Sequence, residues 1–473
     1  MKATFTAVLL AICASGYAQD YPGYRTGNYS GVNSVFFNPA NIADSRYRWD
    51  ANLLSVSAGL GNDQASFRLK DVFSGTFSGD SIKNKLAGDH SGPVSGIFSM
   101  DVHGPSVLFN LGKTSSIALT SRARVLMSID HLDGKLAHQL FNDPAGQSAA
   151  GFPYTIASQE NMRVTVNGWS EFGGTYARVI TDQGAHFLKG GLTLKYLAGV
   201  SNAYIQVDQL NSTMNVNGAG DVYMSNTTGT IGMGFGGVNL SGFDANDLTR
   251  FKSSGVGFDL GLVYEFRPDY SRHLDDQTGD EYRDDNKYKL KLGVALLDVG
   301  SIRYTRDVQR SGNYALNITG GKQFFLKDLD TAKVDNYKSF FDSRPQYFTP
   351  QGGNNAGSYS VPLPATLQLE ADYHFSKGWY INAAGQLSLA GNSMLAPHYY
   401  RSVTLTPRYE GKGLGIYVPL NYSDLTRFNA GLALRFGPLF VGSGSVLTSF
   451  FDNSRQADFF FGLHLGGLQK NNR

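Results

Sequence analysis

Seven polar side chains stand on the hydrophilic side of alternating runs: Asp259, Glu265, Glu370, Asp372, His374, Gln386 and Arg435. Carboxylates beside a histidine can relay protons or hold a cation, and an arginine can neutralise either. Their spacing does not build a catalytic centre. None of the nine histidines forms an H-x-x-x-H or H-E-x-x-H pair, and there is no G-x-S-x-G elbow, Walker loop or dinucleotide loop. Gly234-Phe235-Gly236-Gly237 lacks a following helix with lysine and serine, so it reads as a strand end. The acidic run Asp269, Asp275, Asp276, Asp280, Glu281, Asp284 and Asp285 offers the oxygen ligands that calcium prefers. It fits no EF-hand spacing and reads as a solvated loop. No catalytic residue, cofactor or metal is expected, and the chain does not read as an enzyme.

The elements that carry these groups are strands. Residues 255–266 place Val256, Phe258, Leu260, Leu262, Tyr264 and Phe266 on one face, with Gly255, Gly257, Asp259, Gly261 and Glu265 on the other. Only an extended chain sorts alternate residues this way. The same two-faced pattern separates Leu367, Leu369, Ala371, Tyr373 and Phe375 from Gln368, Glu370, Asp372 and His374, and recurs at 381–389 and 428–436. Large apolar groups opposite glycine and charge predict a transmembrane antiparallel β-barrel, with one face in outer-membrane lipid and the other on a lumen. In that orientation Phe258, Leu260, Leu262, Leu432 and Leu434 meet lipid. The seven polar residues face the lumen, where they either fill and cross-link it or guide a solute. An arginine is then expected to be better tolerated at Gly261 than at Leu260, unless the lumen is packed.

The amino end sets the compartment. Lys2, the apolar run 7–14 and Gly16-Tyr17-Ala18 read as a signal peptide of residues 1–18, too short to span a bilayer. The only cysteine, Cys13, lies within it, so the processed chain has no disulfides to rely on. A closed ladder of backbone hydrogen bonds is the alternative source of cohesion. The composition fits: 41% hydrophobic residues, 56 glycines and 13% aromatics suit strands that need apolar side chains only at alternate positions. No basic cluster or module points to nucleic acid, and the net charge of +2 names no partner. A soluble sandwich or propeller is the alternative for such a chain, but no blade-length repeat supports the propeller.

Along the chain, turn-rich residues 19–48 form a compact plug or hatch, residues 49–467 form a barrel of about 14 strands, and residues 468–473 form a periplasmic tail. Residues 71–103 and 327–359 read as long loops, with a short helix near 136–141. Strands are expected at 65–70, 398–409 and 439–447. Ser376-Lys377-Gly378, residues 410–413 and Gly437-Pro438 are the tight turns of the periplasmic side. Tyr399 and Tyr400, Trp379 and Tyr380, and Phe450 and Phe451 read as interfacial belt residues.

The segment Phe37-Asn38-Pro39-Ala40-Asn41-Ile42-Ala43, placed before the first strand, resembles the NPA motif in the hatch of FadL-type outer-membrane transporters. The stretches at 21–50, 288–304 and 428–444 also resemble an uncharacterised barrel family of Bacteroidota, related in style to the PorP and PorV proteins of type IX secretion. The chain departs from FadL in a shorter, tyrosine-rich amino-terminal region and in a carboxyl end that runs on through Gln469 to Arg473. The resemblance implies the outer membrane of a Gram-negative bacterium and leaves two functions open. One is a passage for a hydrophobic or amphipathic small molecule, with Asn38, Pro39 and Ala40 in a plug. The other is a non-transporting barrel that partners a surface or secretion-system protein.

Overall fold

The computed structural model describes residues 21–70, 92–141, 151–158, 161–238, 253–274, 282–330, 336–352, 357–390 and 395–469. The expected signal peptide with Cys13, the acidic residues 275–281 and the last four residues of the expected tail lie outside the described residues.

Two 3₁₀ helices, Gly31–Phe36 and Pro39–Ile42, precede the sheet. The strands are β1 (Tyr47–Asn62), β2 (Pro93–His103), β3 (Ser106–Leu111), β4 (Ser115–Asp133), β5 (Tyr154–Ala157), β6 (Met162–Gln183), β7 (His186–Val216) and β8 (Val222–Gly237). They continue as β9 (Ser253–Phe266), β10 (Leu290–Thr305), β11 (Gly312–Ile318), β12 (Phe324–Phe325), β13 (Phe348–Pro350), β14 (Ser358–Pro362), β15 (Thr366–Ser376) and β16 (Trp379–Ser388). The last are β17 (Ser402–Glu410), β18 (Leu414–Tyr417), β19 (Leu420–Ser423), β20 (Arg427–Ala430), β21 (Leu432–Phe436), β22 (Leu439–Ser443) and β23 (Gln456–Leu468).

Every pairing is antiparallel, and β1 pairs with both β2 and β23, so the sheet closes on itself. Five staves of the wall are interrupted and consist of collinear pieces: β2 with β3, β8 with β9, β14 with β15, β18 with β19, and β20 with β21. Counted this way the barrel has 14 staves, the expected number. At the break between β2 and β3, Pro105 has no N–H to offer, and the Asn52 Nδ2 donates to the His103 and Gly104 carbonyls at 3.2 and 3.0 Å.

The apolar faces point outward. Leu260, Leu262 and Phe428 are exposed, and Leu432, Leu434 and Phe258 are half-exposed on the same side. Trp49, Tyr373, Phe375, Trp379 and Phe436 gather near the tight turns on that face, where aromatic rings suit a membrane interface.

Several expectations are corrected. Residues 93–103 are a strand and not part of a loop: both faces of β2 are largely buried, which erases the alternation. Residues 65–70 form no strand beyond a single bridge, Phe67 to Ser454. The strand expected over 439–447 stops at Ser443 and gives way to a helix, Val446–Phe451, which carries the exposed Phe450 and Phe451. Residues 398–401 precede β17, and Tyr399 and Tyr400 turn into the barrel: the Tyr400 hydroxyl donates to Asp130 and the Asn202 Nδ2 holds the Leu395 carbonyl. β9 ends and β10 begins on the side of the tight turns, since Phe266 pairs with His186 beside the β6–β7 turn and with Leu290.

β7 runs for 31 residues, far beyond the nine to eleven that cross a bilayer. Its outer half, with β8, β11 and β13, forms a sheet above the wall. One face of this sheet buries Met214, Met224, Met233 and Phe235 beneath Leu136 of helix Gly134–Phe141 and Phe340 and Phe341 of helix Tyr337–Asp342.

Candidate functional site

The lumen is filled by residues 21–44. Tyr21, Tyr24, Val32, Val35, Ala40 and Ile42 are almost fully buried. Asn38 caps the second 3₁₀ helix, its Oδ1 accepting from the Ala40 N–H at 2.9 Å. Its Nδ2 donates to the carbonyls of Leu262 on β9 and Val294 on β10, both at 3.2 Å. Pro39 sits at the first helical position, where its missing N–H costs nothing.

This fit depends on glycine in the wall. Gly191 on β7 faces Gly261 on β9 across the ladder, and Gly261 faces Ala295 on β10. A methyl group on Gly261 would lie 2.0 Å from the Asn38 Oδ1, and one on Gly191 would lie 2.5 Å from the Pro39 carbonyl carbon. The side of β9 that reads as merely hydrophilic is therefore a seat for the Asn38-Pro39-Ala40 turn. The proviso attached to the Gly261 expectation applies, because the lumen is packed at that point.

Above the seat lies a buried charge network. Asp259 pairs with the Lys195 Nζ at 2.8 Å and accepts the Asp298 N–H at 2.7 Å. Lys195 also reaches Asp298 at 2.6 Å and Glu171 at 3.5 Å. Arg124 bridges Glu171 and Asp298, both at 2.8 Å, stacks over Trp169 and donates to the Tyr399 hydroxyl at 2.9 Å. Gln386 stands at the edge of this group, its Oε1 accepting from the Gln368 Nε2 at 2.9 Å. The free space between Arg25, Phe36, Arg124, Asp298, Gln386 and Tyr399 admits a water molecule or two and nothing larger.

A second group holds Glu370 and Asp372. Lys291 reaches Glu370 at 2.7 Å, and the Asn382 Nδ2 donates to it at 2.9 Å. Arg408 clasps Asp372 through both terminal nitrogens and Glu410 through Nε, while the Tyr288 hydroxyl donates to Asp372 at 2.8 Å. Glu410 in turn accepts from the Asn28 N–H and Nδ2 of the plug.

Glu265 belongs to a third group at the tight-turn mouth, with Arg267 at 2.6 Å and Lys189 at 3.1 Å. Arg435 joins no carboxylate among the described residues. It is fully buried and donates to the carbonyls of Gly411, Lys412 and Gly437, bracing two tight turns. His374 joins none of these groups: it lies half-exposed at the rim, its Nε2 2.9 Å from the Lys377 carbonyl oxygen and its ring stacked on Tyr380.

The sequence reading missed Arg124, Glu171, Lys195, Asp298 and Arg408, although the two-residue spacing of Arg122 and Arg124 on β4 was a usable signal. It also missed two buried histidine pairs that face the plug. The His464 Nδ1 lies 2.7 Å from Asp50, whose other oxygen accepts the Val32 N–H at 2.7 Å. The His103 Nδ1 lies 3.0 Å from the Asn33 Oδ1. Among the described residues no three of His, Cys, Asp or Glu form a metal-binding group.

Residues 39–444 match the model of a family of unknown function, DUF5723. The chain belongs to that family. Among curated proteins none matches this DUF5723 chain. Solved structures similar to it include the deltaS2 mutant of the TodX monoaromatic hydrocarbon channel, at 10% identity over 96% of both chains with a TM-score of 0.40. The Pseudomonas putida toluene transporter TodX matches at 9% identity over 95% of this chain and 97% of its own, with a TM-score of 0.34. A Pseudomonas aeruginosa FadL homologue matches at 11% identity over 95% and 99%, with a TM-score of 0.30.

Proposed function

We propose that this DUF5723 barrel is an outer-membrane passage for a small amphipathic molecule, closed at rest by residues 21–44. One observation carries the reading: 14 staves enclose more space than their own side chains fill, and the remainder is taken by a segment that belongs to no stave. Eight strands suffice for a barrel packed solid by its own side chains, so a purely structural barrel needs neither the extra width nor the insert. Besides apolar packing on the wall, the plug is held by hydrogen bonds and ion pairs, which can be exchanged for water or solute. The lining of paired Arg, Lys, Asp and Glu disfavours a bare hydrocarbon, because an apolar solute leaves such groups desolvated. A polar head with a modest apolar part suits it better.

Residues 1–18 are proposed as the cleaved signal that delivers the chain to the outer membrane of a Gram-negative bacterium. Deleting residues 21–44 and recording single-channel conductance in planar bilayers tests the passage. A clear increase supports it, and unchanged conductance removes it.

A second reading, a membrane partner for a surface or secretion assembly, is favoured by the sheet above the wall. Its own apolar core gives β7, β8 and β11 a rigid platform that a passage does not require. Copurification of a stoichiometric protein with an unaltered conductance on plug deletion would favour this reading.

A further inference from the structure

The tight-turn mouth carries a cluster that neither the charge-filled lumen nor the glycine seat explains. Asp44 ends the plug two residues after the second 3₁₀ helix and adopts a left-handed backbone, φ +54°. Its carboxylate takes Lys287 at 2.8 Å, Arg267 at 2.9 Å and Arg283 at 3.6 Å. A fourth cation, Lys189, donates to the neighbouring Ala43 carbonyl at 3.0 Å and pairs with Glu265. Among the described residues four cations thus meet two carboxylates, Asp44 and Glu265, in a setting where Lys189, Arg267 and Lys287 are all buried. Burial alone would raise the Asp44 carboxyl, but Lys287, Arg267 and Lys189 outweigh it and hold the group far below the usual carboxylate range.

The cations belong to the frame. Lys189 is on β7, Arg267 directly follows β9 and lies over the Phe187 ring at 3.5 Å, and Arg283 donates to the Gly112 carbonyl at 2.8 Å. Only Asp44 belongs to the plug. If the plug withdraws, the socket keeps its positive charges and loses an anion, which is costly in a buried place.

We propose that the Lys189–Arg267–Arg283–Lys287 socket is an anion site, filled by Asp44 while the barrel is closed and by a small carboxylate or phosphate group when the plug moves. Asp44 is then an internal stand-in for the anion and the latch of the plug. The purpose of the latch rests on the passage reading; its geometry does not.

The test uses the full chain with Cys13→Ser and a reporter at the buried Ser34, Ser34→Cys, followed by maleimide labelling in detergent. Asp44→Gly suits the left-handed backbone and leaves a carboxylate-sized gap among the cations. Labelling is expected to accelerate by at least about tenfold, the scale of one lost charged hydrogen bond, while heat-modifiable migration shows the barrel intact. Acetate in solution should return labelling toward the parent rate, and acetamide should not. Asp44→Asn, which keeps the shape and removes the charge, should also label faster yet resist rescue, because its amide occupies the gap.

Unchanged labelling in both variants overturns the latch, and equal rescue by acetate and acetamide overturns the anion site. Faster labelling with flat single-channel conductance keeps the socket and removes the passage reading, so the two failures are distinguishable.

Discussion

The lumen is closed twice, and the two closures are built differently. Toward the tight turns it is filled by residues 21–44, which lie on Gly191 and Gly261 and are tied down by Asn38, Asn28 and Asp44. Toward the long loops it is filled mainly by the wall itself. Ile302, Tyr304, Tyr359 and Val361 point inward from paired strands, joined by Leu363 just after β14, with the Tyr304 and Tyr359 hydroxyls donating to Asn167 and Asn202. Among the described residues, those that enter that upper region from outside a strand are 395–401, Leu363 and Leu425. A closure made of wall residues cannot leave without breaking the ladder, whereas an inserted segment can. Under the proposed passage, gating belongs to the lower closure.

The strongest way to break this contrast is Gly261→Arg. The added side chain has to displace Asn38, so it is expected to expel the plug and raise conductance severalfold. Its stability cost should exceed the about 2–4 kcal/mol expected for Leu260→Arg on the lipid face near the midplane, measured by denaturant titration in lipid. A smaller penalty at Gly261 than at Leu260 would show that the seat is not close-packed.

Next comes Lys195→Met, which leaves Asp259 and Asp298 without their shared cation. Removing one partner of a buried pair costs about 3–5 kcal/mol, and the loss should appear in global unfolding with little change in plug labelling. Asn38→Ala is expected to cost about 1–3 kcal/mol through the loss of its two hydrogen bonds to wall carbonyls and to speed labelling at Ser34→Cys. Tyr399→Phe, which removes the acceptor of one Arg124 hydrogen bond, should cost only about 0.5–1.5 kcal/mol and leave conductance unchanged. If Tyr399→Phe opened the pore and Asn38→Ala did not, the assignment of the gate would be reversed.

The barrel was legible because its outer face meets lipid over many strands, which forces a period of two that no other element produces. Legibility failed where a strand is buried on both faces, as in β2, or where a strand gives way to a helix, as after Ser443. The polar face was read as a set of residues and not as a set of pairs, and His374 of that set lies at the rim. Arg124 and Asp298 are 174 positions apart, and nothing local announces that they meet. Gly261 could be seen on the inner face, yet its meaning depends on Asn38, 223 residues earlier in the chain. Tyr399 was misread because an aromatic residue at a strand end looks the same whether it turns toward an interface or into a lumen.

The seam between β1 and β23 also constrains the order of assembly. Residues 21–44 lead directly into β1, and the wall closes only when β1 pairs with the last strand, joining Asp50 to His464 across 414 residues. A sheet still open at that seam gives the segment direct access to its glycine floor on β7 and β9. Closure of the terminal strands becomes the final and most non-local step of folding.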